Sequence, residues 1–352
     1  MPRVLLPSNE SDITLGFAEA YRALGWEVVV GKSNFELHAA HYDVVHYLWP
    51  EEFSNWHVPS EKELDSIEGH LKRWKGQSQV IFSVNNLYPH GFGSNEACNR
   101  LYSMFIEQSD LISHFSEASH HEILARYPVA QGRNHVVHAP PNFCSTLAAQ
   151  VARGSRRAEW GFRDDDFVVL VWGRVRLTAE LDLIQKGFDA AKVPSKRLLM
   201  SANYGLHGSR WRDRVKMFAW KLWLRRRRAV VNTQYLPEEE ISRLTDSSDI
   251  VLMPRIEGLS SCIPLVAMTF GRAVIAPDHG ANHDYFAGSR NFLYQSGNPK
   301  SLARQLERAA KLDLEEIGRE NAAIAANWSW VETCRLCLEH LDGFVGTTPP
   351  TR

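Results

Sequence analysis

The 352-residue sequence has little of what marks secreted, membrane-spanning or nucleic-acid-coating proteins. Cysteine is scarce: five residues, an odd number at irregular spacing, argue against a disulfide framework. Cys334 and Cys337 form a lone C-x-x-C on a stretch, 330–341, that reads as a helix. With no second pair to complete a zinc site, they read as packed free thiols. No apolar run approaches the roughly 18–20 residues of a membrane span. Charge of one sign is not in excess either, since 40 Lys and Arg against 41 Asp and Glu leave a net charge of -1. A global pull toward nucleic acid is therefore absent, and any basic function must come from a local patch. The opening MPRVLL enters a strand pattern directly, without a signal-peptide pattern. The expected location is cytoplasmic, or peripheral on the inner face of the membrane.

What is present is the profile of a soluble globular protein, 44% hydrophobic and 23% charged, of a length that suits two domains. In the N-terminal half, short apolar runs at 3–6, 27–30, 44–47, 80–84, 111–115 and 135–138 alternate with helical patterns at 12–24, 61–74 and 96–107. Such alternation predicts right-handed crossovers and a parallel, doubly wound sheet, with ligands outside the carboxyl ends of the strands. Proline near Ala139 and the polar stretch 153–166 break the pattern as a linker would. A second unit then begins at 167–172 and continues with strands at 197–201, 229–231, 250–253 and 273–276. The expected fold is α/β, two Rossmann-like domains facing across a cleft. The first spans 1–150 and the second 151–325, and 326–352 forms a helix packing back toward the first, with a tail.

The segment Asp249–Asp278, DIVLMPRIEGLSSCIPLVAMTFGRAVIAPD, carries the clearest chemistry. A strand ends at Pro254, a loop holds Glu257, Gly258, Leu259, Ser260 and Ser261, and a helix follows to Phe270. Small residues at a helix start let backbone N–H groups reach an anion, and the helix dipole adds attraction; a diphosphate suits the place. Plain N-capping produces the same pattern.

This segment resembles the donor-binding stretch of GT-B glycosyltransferases of the family 4-like clan. Three further runs agree in order: YDVVHYLWPE from Tyr42, VNNLYPH from Val84 and WGRVR from Trp172. The similarity is strongest to bacterial exopolysaccharide (xanthan-type) β-mannosyltransferases and covers most of the chain. It implies a metal-independent hexosyltransferase that uses a nucleotide diphosphate sugar, GDP-mannose or a UDP-sugar, as co-substrate and needs no cofactor. The acceptor would be a glycan or lipid-linked hydroxyl, in polysaccharide or glycolipid synthesis. The chain departs from the pattern of retaining family 4 enzymes, because Val266 stands where a second glutamate is usual and no lysine follows Arg176 at its usual distance. Inversion is the expected stereochemical outcome. The rival readings are a GT-B-like nucleotide-sugar epimerase and a non-catalytic sugar-nucleotide-binding protein.

Within this reading, Arg174 and Arg176, just beyond their strand, would pair with the two phosphates alongside Glu257, Gly258, Leu259, Ser260 and Ser261. Ser8, Asn9, Asn85 and Asn86, at the carboxyl ends of two N-terminal strands, would bind the acceptor. His90 would accept the acceptor proton, with Glu117 as the second candidate base. Arg174, Arg176, His90 and Glu117 each have a bland counterpart reading as ordinary loop or helix-start residues. Asp164, Asp165 and Asp166 precede a strand rather than follow one and read as a solvated turn, not a metal site.

One stretch stands out by composition. In 209–228, nine Lys or Arg and one acid, Asp213, surround Trp211, Val215, Phe218 and Leu222 at i, i+4, i+7, i+11. Read as an ordinary helix, that stripe faces the core. Trp220, Trp223 and Leu224 lie off it, and tryptophan flanked by arginine suits an anionic membrane surface, with Trp220 and Trp223 turned outward. Nucleic acid is a third partner class, weakened by the neutral overall charge.

Overall fold

The computed structural model describes residues 1–38, 40–89, 95–142, 157–204, 211–227, 229–232 and 238–341. They fall into two compact units. One is Met1–Pro141 with the chain from Trp328 onward, and the other is Asn142–Asn327.

The first unit runs β1 (Arg3–Leu6), α1 (Asp12–Ala23), β2 (Glu27–Val30), α2 (Asn34–Leu37), β3 (Val44–Tyr47), α3 (Glu61–Lys75), β4 (Gln79–Val84), α4 (Glu96–Gln108), β5 (Leu111–His114), α5 (Glu117–Arg126) and β6 (His135–Val137). Its strands form one parallel sheet in the order β2-β1-β3-β4-β5-β6. Parallel strands are covered on both faces, and β3 and β5 are buried along their whole length even where His46, Ser113 and His114 interrupt the apolar run. Polar caps start the helices: Ser11 accepts from Thr14 N, Asn95 from Cys98 N and Ser116 from Ser119 N, while Ser60 and Glu63 form a capping box.

Three histidines lie inside this sheet layer. His46 takes Tyr21 Oη at 3.0 Å and Ser83 Oγ at 2.7 Å, and burial pulls its pKa down to about 3. His114 lies 3.0 Å from Ser119 Oγ and 2.9 Å from His135 Nδ1, and burial, then the neighbouring imidazoles, bring it down to about 2. His138 meets Ser113 Oγ at 2.8 Å and is shifted the same way by burial.

The second unit continues with β7 (Phe167–Val175), α6 (Thr178–Ala190), β8 (Lys196–Tyr204), α7 (Trp211–Arg226), β9 (Val230–Asn232), α8 (Glu238–Asp246), β10 (Ile250–Leu252), α9 (Cys262–Thr269), β11 (Ala273–Pro277), α10 (Asn282–Tyr285), β12 (Phe292–Tyr294), α11 (Pro299–Ala309) and α12 (Leu314–Ala325). Its sheet is again parallel, in the order β12-β11-β10-β7-β8-β9. Strand β7 is longer than its apolar pattern suggests, because pairing with β8 continues from Phe167 through Val175. Arg174 therefore lies within the strand, and Arg176 is the first residue after it.

The last helix, α13 (Trp330–Glu339), belongs to the first unit. It packs on α1 where Gly16 leaves room: a Cβ there would sit 2.5 Å from the Trp330 ring, which meets Phe17 edge-on at 4.9 Å. Cys334 and Cys337 are free and buried in this contact, and burial pushes the Cys337 thiol up to about 12.

Helix α7 is turned opposite to the sequence reading. Trp220, Trp223 and Leu224 enter the core of the second unit, with the two indoles stacked at 4.8 Å and Trp223 Nε1 donating to Asp189 Oδ2 at 2.9 Å. Trp211, Val215, Phe218 and Leu222, the expected core stripe, are exposed. The two indoles bury their faces against each other, and Asp189 satisfies the one polar atom of Trp223.

Candidate functional site

In the second unit, the end of β7, the loop after β10 and the start of α9 come together. Gly173 has φ +88°, and a Cβ on it would lie 3.3 Å from Ile263 Cδ1 in the first turn of α9. The strand end thus lies against the helix start. Ser261 caps α9, its hydroxyl accepting from Ile263 N at 3.3 Å. The loop itself is fastened from behind. Ala281 N donates to Leu259 O at 2.8 Å, Ser296 Oγ to Ile256 O at 2.9 Å, and Tyr294 Oη to Met253 O at 2.9 Å. Gly280, at φ +58°, permits the first of these, since a Cβ there would fall 2.4 Å from Leu259 O.

Beside this loop lies one buried carboxylate, Glu180, paired with the Arg255 guanidinium, with the charges of Arg176 and Arg174 nearby. Glu180 Oε2 accepts from Arg176 N at 2.7 Å and Leu177 N at 3.3 Å, closing the first turn of α6. The same carboxylate receives Arg255 Nη1 at 3.4 and 3.3 Å, in an ion pair buried on both sides. Burial, and then the Arg255 charge, lower the pKa of Arg176, with Glu180 opposing and Arg174 adding to the shift. Concentrated positive charge beside a helix N-terminus suits a diphosphate. Arg255 was missed by sequence reading although it stands inside the quoted MPRIEG run. Its signal was charge directly after a buried strand.

The other donor candidates are placed unequally. Glu257, Gly258 and Ser260 are exposed on the loop, with Gly258 at φ +127°. The Ser260 hydroxyl also bonds the buried Tyr285. Leu259 is buried, so it serves the loop through its backbone and packing. His279 is a second residue that sequence reading passed over. It borders the loop at the Ile256 and Gly258 carbonyls, and burial lowers its pKa. Its Nε2 has no hydrogen-bond partner among the described residues.

In the first unit, two acids organise most of the proposed acceptor residues. The 3-10 turn Pro50–Glu52 follows the run YLW and buries both Glu51 and Glu52. Glu52 Oε2 accepts from Ser8 Oγ at 2.6 Å and Asn9 N at 3.2 Å. Glu51 accepts from Asn86 Nδ2 at 2.7 Å and Tyr102 Oη at 2.8 Å. Burial raises both carboxyl pKa values, and the hydrogen bonds pull them back part of the way. Ser8 and Asn9 also line a hollow of about 490 Å³ with Val30, Gly31 and Lys32. Asn85 has a different task, its Nδ2 donating to Leu48 O at 3.0 Å and Ser83 O at 3.3 Å. The acid pair was hidden in the sequence because nothing in YLWPEE announces that its carboxylates turn inward.

His90 lies outside the described residues. Glu117 is exposed at the start of α5, 3.8 Å from His120 Nδ1. With His121 these form the one group among the described residues whose ligand atoms lie close enough to hold a metal, all within 4.8 Å of one another. The Asp164–Asp166 triplet is drawn into the turn before β7: Asp166 is buried, caps Arg163 N at 2.9 Å and pairs with Arg163 and Arg197. Among the described residues no helix is long and apolar enough to cross a membrane.

Comparison with known proteins agrees with this architecture. Residues 153–326 match the family described as "Glycosyl transferases group 1". Sucrose-phosphate synthase of Thermosynechococcus elongatus superposes with a TM-score of 0.70 at 14% identity, over 95% of this chain and 97% of that one. Anabaena HepE in complex with UDP gives 0.68 at 15%, over 97% and 99%. A glycosyltransferase of Rickettsia africae ESF-5 gives 0.68 at 12%, over the same shares. No curated protein sequence matches the chain. At these identities the structural neighbours establish the fold alone. The chain has the GT-B fold, and its segment 153–326 matches the group 1 glycosyl transferases.

Proposed function

We propose that this protein transfers a hexosyl group from a nucleotide diphosphate sugar to a hydroxyl of a glycan or lipid-linked acceptor, in polysaccharide or glycolipid synthesis, without a metal ion. The observation that carries the reading is the concentration of positive charge from Arg174, Arg176 and Arg255, the last paired with the buried Glu180, where the end of β7 lies against the start of α9. Fixed cations and helix N–H groups stabilise the diphosphate as it leaves, the work that a divalent cation does in metal-dependent transferases. HepE has been crystallised with UDP and with UDP-glucose. That supports a nucleotide diphosphate sugar as the donor class here.

In the reaction, the acceptor oxygen forms a bond to the anomeric carbon while the bond from that carbon to the β-phosphate oxygen breaks. The electron pair leaves with the nucleoside diphosphate, and the hydroxyl proton passes to a base of the first unit. We assign that base to His90, with Glu117 as the alternative. Ser8, Asn9 and Asn86, held by Glu52 and Glu51, position the acceptor. Attack from the face opposite the leaving group inverts the anomeric centre.

A donor panel tests the reading. UDP or GDP, and the matching UDP- or GDP-hexose, should raise the melting temperature, because a ligand at a hundred times its Kd adds about 2.7 kcal/mol. The stabilisation and the transfer should be the same in excess EDTA as in magnesium. Absence of any shift across the panel contradicts donor binding. Transfer abolished by EDTA and restored by manganese contradicts the metal-free mechanism.

A further inference from the structure

We propose that helix α7 is a docking surface for an anionic membrane, with Trp211, Val215, Phe218 and Leu222 entering the lipid interface. Docking is independent of the transfer reaction and of the donor site.

Large apolar side chains scattered singly over a surface need no explanation, but a row of them on one face of a helix does. Trp211 is 70% exposed, Phe218 72%, Val215 57% and Leu222 39%. Their spacing sets them along one face of α7, while the opposite face is anchored by Trp220, Trp223 and Leu224 in the core. The helix is thus held firmly from beneath, with its apolar row outward. It is far too polar to span a bilayer, and no helix among the described residues does so. An amphipathic helix of this kind lies in the interfacial plane.

The charge around the row selects the occupant. Lys216, Lys221, Arg225 and Arg226 are exposed on the same helix, and Arg227 is exposed directly after it. None of the α7 residues whose side chains are described is acidic. Of these five, Arg227 pairs with Asp189 at 2.8 Å, which steers it toward the protein. Lys221 and Arg225 flank the apolar row on one side and Arg226 on the other, as their spacing from Leu222 requires. Apolar side chains bordered by cations match acyl chains beneath anionic headgroups. A second copy of the chain would bring two basic borders together. Nucleic acid would meet the cations but leave the valine, leucine and phenylalanine row without a partner of its own kind.

Flotation with vesicles of 30% phosphatidylglycerol in phosphatidylcholine tests the inference, with no nucleotide sugar present. At 50 mM salt the protein should float with these vesicles, and its partition coefficient should fall at least tenfold on pure phosphatidylcholine. Trp211→Ser with Phe218→Ser should lower it at least tenfold, as should Lys221→Gln, Arg225→Gln and Arg226→Gln together. The tryptophan emission should shift to the blue on binding, and Trp211→Phe should remove the shift, since Trp220 and Trp223 are already buried. All variants should keep the parent's circular dichroism and UDP affinity. If one set fails to fold, the other still decides. A parent protein that stays unbound at low salt overturns the proposal, as does binding that both sets of changes leave intact. Dimerisation through this face, or an affinity for nucleic acid above that for the vesicles, overturns it too. Neither result touches the donor-panel outcome.

Discussion

His90→Ala is expected to lower kcat by roughly 10²–10⁴, the usual range for removal of a general base, while UDP or GDP binds as before. The expectation follows from chain position. His90 lies four residues beyond Asn86, which follows β4 and is fixed by the buried Glu51. That is the carboxyl end of a parallel strand, where α/β sheets place their ligands. Imidazole ordinarily titrates near neutrality and can accept a hydroxyl proton, and the proposed donor contacts are assigned to the other unit. The loss should therefore appear in kcat and spare nucleotide affinity. NMR of the product anomer belongs to the same experiment, because a base on the acceptor goes with single-displacement inversion. A retained anomeric configuration, or a variant with parental kcat, removes His90 from this role. If Glu117→Gln alone then abolishes turnover, the base is Glu117.

A second large effect concerns stability in mild acid. His46 and His114 have folded pKa values of about 3 and about 2, both well below the ordinary imidazole value near 6.5. Below pH 6.5 the unfolded chain takes up protons on both rings and the folded chain does not. Stability from these groups is therefore complete at neutral pH and drains away as pH falls through 6.5 toward 3. Together they give a slope approaching 3 kcal/mol per pH unit, at most, an order-of-magnitude figure. His135 and His138 shift in the same direction and add to it. Glu51 and Glu52 act oppositely, since their raised pKa values let the folded chain bind protons first. Urea unfolding at pH 7.5 and pH 5.5 should show a marked loss, reduced by His46→Gln relative to that variant's own neutral value. Equal stability at the two pH values would mean that the rings are protonated within the fold.

The sheets were legible in the sequence because both are parallel and buried, so that strands such as IVL and AVIAP announce themselves as unbroken apolar runs. Helix starts were legible where serine or asparagine caps them, as at Ser60 and Asn95. The proposed donor loop could be singled out, since its glycine and serines lie together just before a helix start. Arg255 and Glu180 could not be paired in advance, because they are 75 residues apart and meet only once β7 and β10 are neighbours. The same holds for Ser8 with Glu52 and for Glu51 with Tyr102, which the crossovers bring together. Helix α7 failed for another reason. Its apolar residues occupy two faces, and periodicity cannot say which face the core takes. Two indoles that stack together decided it, and sequence spacing does not show stacking.

The central claim is that the diphosphate of a nucleotide sugar rests between the Arg174–Arg176 strand end and the start of α9. Titration calorimetry of UDP and GDP against the parent protein, Arg174→Ala and Arg176→Ala tests it most directly. Loss of a charge-assisted contact should cost about 1.5–3 kcal/mol, which is roughly a ten- to hundredfold rise in Kd for the preferred nucleotide. Melting temperatures should stay close to the parent's, since Arg174 and Arg176 retain solvent exposure and the bond of Arg176 to Glu180 is made by its backbone N–H, which alanine keeps. Two correctly folded variants that bind both nucleotides with the parent's affinity would contradict the account and place the donor elsewhere.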